Sequence, residues 1–429
     1  MMAPARKILH HTPRALTFLT GSAGAQGIAA LTGLFLARWL SVPDYALFTV
    51  MITLISAMNI LTKGGAHYGF AAILGKVWPD RERTAQAVVA VLQIRRKVSL
   101  WTLPPVLVVA GWLLHRNGAS SGEIIGLCTL LCVIWWADMQ TRLVDQVLFH
   151  AHQTTRVQLL DTSLAALRLA GAGLLFLLGG LSVLPAICLS AATALARIPL
   201  IRKWVAKIAP LQGVIARPED ISALKTSVKQ QLPVEIYMVL QAQIILVLLT
   251  IFGSGTEVAS FGALGRIGQI LVPVTMFTTA FLIPIYTRAT GNLATLLFGL
   301  TLLSALPGLG FIALTSLYPH AVLWLIGENY AGLQTEVIWA VGVSVAMRLA
   351  TTYRNLVGSR GWIRFNILQI PLFILWVLAA PLLFDLSTLI GAFQLQLGFA
   401  VIITIAASVD FIFARHAPPS TRPPSAKTT

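Results

Sequence analysis

Lys63, Arg142, Arg168, Arg266 and Arg348 each stand inside a run of residues otherwise apolar enough to cross a bilayer. A charge near the bilayer centre costs on the order of 3 kcal/mol on insertion scales, so such residues persist where they are paired or line a wet cavity. Carboxylates accompany two of them. Asp138, Arg142 and Asp145 fall at i, i+4 and i+7 on one helical face, and Asp161 and Arg168 share a face of the next span. The two spans meet in a short connection near Gln153, so they should form an antiparallel hairpin with Asp138 and Arg168 at similar depth. Arg142 should then reach Asp145 on its own helix or Asp161 opposite. Two uses stay open for this cluster: a structural ion ladder, or part of a binding path.

Lys63, Arg266 and Arg348 have fewer obvious partners. Lys63 shares a face with Asn59 and His67, Arg348 shares one with Ser344, Thr352 and Asn355, and Arg266 stands near Gln269. Counted from the span ends, Arg266 belongs nearer the outer side, and Lys63 and Arg348 nearer the inner one. Glu235 follows Pro233 by two residues and either neutralises one of these cations or couples transport to a proton. Cations spaced through the depth of a cavity suit an anionic passenger, most simply a phosphate or diphosphate, whose geometry the guanidinium fork matches. An organic cation would call for carboxylates instead.

The elements that position these residues are membrane helices. Of the 429 residues, 57% are hydrophobic and 11% charged, and the mean hydropathy is +0.81. This is an all-α, polytopic membrane chain of about twelve spans, each needing roughly 20 apolar residues. The spans read as 15–36, 45–74, 98–114, 123–149, 157–179, 182–201, 230–252, 257–285, 292–316, 333–353, 366–384 and 388–411. Between them basic residues alternate with poorly charged connections, which predicts that both termini are cytoplasmic. Arg6, Lys7 and Arg14 precede an apolar run that should serve as an uncleaved first span. The expected organisation is a cytoplasmic N-terminus over 1–14, a six-helix bundle over 15–201, a cytoplasmic linker over 202–229, a second six-helix bundle over 230–411 and a disordered cytoplasmic tail over 412–429. The stretches after Arg81 and after Arg202 alternate apolar and basic residues, which predicts helices lying on the inner leaflet.

The excess of 31 Lys+Arg over 15 Asp+Glu, net +16, belongs to topology and anionic lipid, not to nucleic acid, because no compact basic domain exists to hold one. Cys128, Cys132 and Cys188 lie in apolar helices without a His cluster and read as packing residues; no cofactor or metal is expected. A membrane enzyme of polysaccharide assembly would need a long outward loop for its catalytic groups, and the outward connections are short.

Two segments carry a more specific likeness. Gly21 to Gly27, with Leu36-Ala37-Arg38-Trp39-Leu40-Ser41-Val42-Pro43-Asp44-Tyr45-Ala46-Leu47-Phe48, resembles the opening of the polysaccharide transporter or O-antigen flippase family of the multidrug/oligosaccharidyl-lipid/polysaccharide (MOP) exporter superfamily. Thr256 to Ala263 is similar to the segment that opens that family's second half, and Leu282-Ile283-Pro284 to the proline closing its eighth span. The resemblance implies two six-helix bundles in a V, alternating between inward-open and outward-open states. It also implies a flippase that carries undecaprenyl-diphosphate-linked oligosaccharide across a bacterial inner membrane for O-antigen, capsule or exopolysaccharide synthesis. Membrane lipid and polysaccharide-assembly proteins would be its partners, and Lys63, Arg266 and Arg348, joined by Arg142 and Arg168, would line the path. Asp138, Asp145, Asp161 and Glu235 would serve as charge partners or in ion coupling. The runner-up is a drug or metabolite antiporter of the same superfamily; it predicts an acidic cavity, and the first span lacks any Asp or Glu.

Overall fold

The computed structural model describes residues 24–416, so the N-terminal segment 1–14, the start of the first span and the tail beyond 416 lie outside the described residues. Every regular element among the described residues is helical. The chain divides into two compact units, to Ala259 and from Ser260.

In the first unit, α1 covers 24–39, followed by α2 (Val42–Lys63), α3 (Ala66–Val77), α4 (Arg81–Arg116), α5 (Ser121–Thr141), α6 (Asp145–His150), α7 (Thr154–Leu177), α8 (Val183–Ile208) and α9 (Pro218–Phe252). Local chemistry sets these limits. Ser41 Oγ accepts from the Asp44 N–H (3.3 Å) and donates to Asp44 Oδ2 (2.8 Å), and Pro43 sits in the first turn. Asp44 Oδ1 also accepts from the Val183 N–H at the start of α8 (3.2 Å). The Ser-Val-Pro-Asp segment is thus a double helix-start device that fixes α2 against α8.

The span expected as continuous over 45–74 is broken. Gly64 (φ 47°) and Gly65 (φ 80°) end α2 in a left-handed turn and restart the chain as α3. A Cβ on Gly65 would overlap Gln231 of α9, and the Gly65 carbonyl accepts from Ser227 Oγ (2.8 Å). Lys63 is therefore the last residue of α2, where a cation meets the negative end of the helix dipole.

Neither segment predicted to lie on the inner leaflet is a separate helix. Residues 81–97 are the first half of α4, a 36-residue helix, and Lys203 to Ile208 are the last turns of α8. The linker predicted over 202–229 shrinks to 209–217, because α9 starts at Pro218. These extensions carry an apolar face of their own: Phe70, Val88, Val91, Leu148, Val205 and Leu224 form a core at the basic end of the unit. Arg83 pairs with Asp220 there (3.2 Å). The seventh span, expected to open a second bundle over 230–411, packs as α9 on α2, α3 and α4.

The second unit begins within α10 (Gly255–Ile267), whose start repeats the earlier chemistry: Glu257 accepts from the Ser254 N–H (2.9 Å) and from Ser254 Oγ. Then come a 3₁₀ turn (Gly268–Leu271), α11 (Val272–Phe277), a π turn (Thr278–Leu282), α12 (Ile283–Arg288), α13 (Leu293–Leu317), α14 (Pro319–Trp324), α15 (Gln334–Gly358), α16 (Gln369–Leu383) and α17 (Leu389–His416). Helix α15 packs chiefly on α17 and α13. Residues 412–416, expected to begin the tail, still belong to α17.

Among the described residues ten helical segments are long and apolar enough to cross a membrane. Helix α15 is not one of them, because Glu336, Ser344, Arg348, Thr351, Thr352 and Asn355 dilute its hydropathy. The fold is that of an all-α, polytopic membrane protein.

Candidate functional site

Polar side chains converge on two cavities, one in each unit. The first, of ≈ 430 Å³, is lined by α1, α2, α5, α7 and α8. Asp138, Arg142, Asp161, Arg168 and Arg197 line it together with Gln26, Asn59, Gln158 and Thr193. Helix α5 ends at Thr141, so Arg142 caps it and reaches back to Asp138 (Nε to Oδ1, 3.2 Å). Its side chain is 46% exposed. The expected partners, Asp145 and Asp161, go to Arg197 instead: Nη2 donates to Asp145 Oδ2 (2.8 Å) and Nε to Asp161 Oδ1 (2.9 Å). The reason is the turn at 142–144, which interrupts the helix predicted over 123–149 and restarts it at Asp145.

Arg197 is the residue that sequence reasoning missed. It stands near the end of the span read as 182–201, beside the basic cluster Arg202, Lys203 and Lys207, yet its side chain is 4% exposed. The available signal was the apolar run Ile198-Pro199-Leu200-Ile201 that separates it from that cluster. Arg95, which the spans 45–74 and 98–114 leave in a connection, is 1% exposed. It donates to the carbonyls of Thr62 (3.4 Å) and Met139 (2.8 Å), tying the last turns of α2 and α5 together. Both helices supply the cavity wall.

The second cavity, of ≈ 300 Å³, lies in the second unit between α10–α11, α15 and α17. Arg348 lines it with Gln269, Ser344, Thr352, Asn355 and Gln396. The face predicted to carry Ser344, Arg348, Thr352 and Asn355 is the face that meets the cavity. Arg348 Nη1 donates to Thr275 Oγ1 (2.7 Å) and Nη2 to the Gly268 carbonyl (2.7 Å). Pro273 has no N–H for the Gln269 carbonyl, and the chain tightens into the 3₁₀ turn Gly268–Leu271, after which the Val272 N–H donates to Gln269 and not to Gly268. The Gly268 carbonyl keeps a lone pair for Arg348. A Cβ on Gly268 would overlap Ser344 Oγ, so glycine allows the close approach of α15. The acidic residues of this unit are Glu328, Glu336, Asp385 and Asp410, and none of them lines the cavity.

The other predicted residues lie outside both cavities. Lys63, half-buried at the end of α2, is within electrostatic reach of Glu235, Asp138, Arg95 and Arg142. Glu235 Oε1 stands 4.0 Å from His67 Nδ1. Arg266 is half-buried on α10. Asp145 lies behind Arg197, 6% exposed. No metal-binding cluster occurs among the described residues.

No family model matches the sequence, and no curated protein matches it. Solved structures do. An inward-facing multidrug resistance MATE family transporter of the MOP superfamily matches with a TM-score of 0.66 at 15% identity, over 94% of this chain and 97% of that one. The outward-facing conformation of such a transporter gives 0.59 at 14%, over 94% of each chain. A MOP superfamily transporter from Pyrococcus furiosus, described as having a binding pocket of reverse polarity that suggests a different function, gives 0.56 at 13%, over 94% and 93%. The chain has the fold of the MATE transporters of the MOP superfamily.

Proposed function

We propose that this protein is a transporter that carries an anionic amphiphile across a bacterial inner membrane, a diphosphate-linked oligosaccharide lipid used in surface-polysaccharide assembly. The observation that carries the reading is Arg348, a cation in a polar cavity that no carboxylate lines. A carbonyl and a hydroxyl hold the guanidinium in place without neutralising it, and its described bonds use two of five N–H donors. The remaining donors, with Asn355 and Gln269 nearby, suit phosphate oxygens. Arg142 and Arg168 would contribute secondary contacts from the first-unit cavity, while Arg197 serves as scaffold because two carboxylates already occupy it. Lys63, Arg266 and Glu235 would act through the field along the path and not by contact in these cavities. A MOP-fold transporter whose pocket polarity is described as reversed supports the idea that this fold accepts substrates of different charge.

A second reading, drug or metabolite antiport, is favoured by Asp138 and Asp161, which line the first cavity and could meet a cationic compound. The multidrug transporters that share the fold point the same way. Binding measurements on the purified protein separate the two. Arg348→Gln should weaken binding of a short-chain prenyl diphosphate by about tenfold or more, the loss of one charged hydrogen-bonding group. It should leave binding of a lipophilic cation such as ethidium unchanged. Unchanged diphosphate binding would overturn the anion reading.

A further inference from the structure

The second unit contains another cavity, of ≈ 340 Å³, between α13, α15 and α17, whose wall is built from Ala346, Leu349, Ala350, Leu397, Ala400 and Val401. Its hydroxyl groups are spoken for: Thr301 Oγ1 donates to the Leu297 carbonyl (2.8 Å) and Thr404 Oγ1 to the Ala400 carbonyl (2.8 Å). The wall therefore offers an occupant dispersion contacts and apolar surface, with no polar partner to align it. Val401 and Ile405 on its rim are 52% and 47% exposed, so it opens on an apolar surface of the second unit.

One end is different. Tyr353 lines the cavity and accepts from Ser408 Oγ (3.2 Å). It also packs into the cluster of Tyr286, Leu356, Trp362 and Phe411. Above that cluster lies Arg360, whose guanidinium sits 5.1 Å from the Tyr286 ring centre and 5.6 Å from that of Trp362, while donating to the Tyr286 and Ala289 carbonyls. Arg364, exposed, lies over the Phe365 ring (5.5 Å). Asp410, the one carboxylate placed at this turn, is 5% exposed and engaged by the Phe365 N–H (2.6 Å). An apolar trough thus leads, through aromatic side chains, to a basic turn between α15 and α16 that presents no exposed carboxylate.

We propose that this groove is a binding site for an anionic phospholipid of the bilayer, with one acyl chain along α15 and α17 and its phosphate at Arg360 and Arg364. The site stands apart from the Arg348 cavity: Ala346, Leu349, Ala350 and Tyr353 line the groove, and Ser344, Arg348, Thr352 and Asn355 line the polar cavity, so α15 divides them. The inference does not rest on the transport reading. Charge complementarity selects the headgroup, because a cation near the membrane surface attracts anionic lipid and an electroneutral headgroup gains far less.

The test uses the full chain in nanodiscs of phosphatidylcholine doped with phosphatidylglycerol that carries a photoreactive diazirine on its acyl chain. Labelling should concentrate on peptides spanning 346–353 and 397–405. Phosphatidylcholine with the same chain should label them less. Val401→Trp, at a half-exposed rim position, fills the groove and should abolish the focused labelling; Ile405→Trp serves the same purpose should the first variant fail to fold. Arg364→Gln should lower the phosphatidylglycerol preference by about fivefold, as expected for one surface arginine. Labelling spread evenly over the second unit, labelling indifferent to Val401→Trp in a folded protein, or equal labelling by both headgroups would overturn the proposal. Focused labelling by an undecaprenyl phosphate probe in place of phosphatidylglycerol would overturn it as well.

Discussion

Replacing Arg197 with methionine removes the guanidinium and keeps much of the apolar volume, so it isolates the charge. In the native protein the side chains of Arg197 and Asp145 are 4% and 6% exposed, while Asp161 is 35% exposed. Asp145 Oδ1 has no hydrogen-bond partner in the structure, so Arg197 is the principal group that stabilises the Asp145 carboxylate. Without it a charge stays buried and uncompensated, which costs roughly 3–5 kcal/mol. Asp161 adds little to this, because water in the cavity can solvate it. For a unit of this size, about 1 kcal/mol corresponds to some 2–4 °C in melting temperature, so Arg197→Met should lower the midpoint by roughly 10 °C. Arg142→Met, which breaks an i,i+4 pair whose arginine is 46% exposed and whose Asp138 keeps Arg95 within electrostatic reach, should lose less, about 1 kcal/mol. The decisive comparison adds Asp145→Asn. Neutralising the stranded carboxylate should recover at least about 2 kcal/mol of the loss in the double variant. Melting temperatures of the five proteins, wild type, the three single variants and the double variant, in one detergent measure this. Strict additivity, or an Arg142→Met variant as unstable as Arg197→Met, would refute the assignment of Arg197 as scaffold.

Three further outcomes follow from the same geometry. Gly65→Ala places a Cβ on a left-handed residue and against Gln231, and should destabilise the first unit by roughly 1–3 kcal/mol, seen as a lower melting temperature. Asp44→Ala removes an acceptor shared by Ser41 and Val183 at two helix starts; a loss of about 1–2 kcal/mol is expected in the same assay. Pro273→Ala restores an N–H for the Gln269 carbonyl, so the Val272 N–H can return to Gly268 and compete with Arg348 for its oxygen. Modification of Arg348 by phenylglyoxal, read by peptide mass spectrometry, should then become faster, and an unchanged rate would contradict the link between Pro273 and Arg348.

The architecture was legible because long apolar runs admit few alternatives in a membrane. The Arg348 face was legible for a related reason: Ser344, Arg348, Thr352 and Asn355 recur at helical spacing within one uninterrupted helix, α15. What failed was the division between span and loop. Arg95 fell in a connection and Arg197 near a span end beside a basic cluster, and the positive-inside rule counts such residues without asking whether the helix continues. Helices α4 and α8 do continue, and they carry these arginines into the packed interior. Breaks were equally hard to see. The turns at Gly64–Gly65 and 142–144 interrupt apolar runs that have no proline, and the second of them moves Asp145 from Arg142 to Arg197. The two segments that resemble the flippase family do structural work as helix starts, Ser41–Asp44 and Ser254–Glu257, which is why they mark the fold and not the substrate.

The central claim is that Arg348 engages the phosphate of a transported lipid. It is tested most directly by reconstituting the protein into vesicles and following a fluorescent, diphosphate-linked saccharide lipid as it becomes accessible to a membrane-impermeant quencher. The wild-type protein should accelerate this exposure. Arg348→Gln should slow it by about tenfold or more at equal protein content, and Arg348→Lys should restore only part of the rate, because an ammonium lacks the planar fork. A wild-type rate in Arg348→Gln, or no acceleration by the wild-type protein while a cationic dye is exported from the same vesicles, would contradict the account.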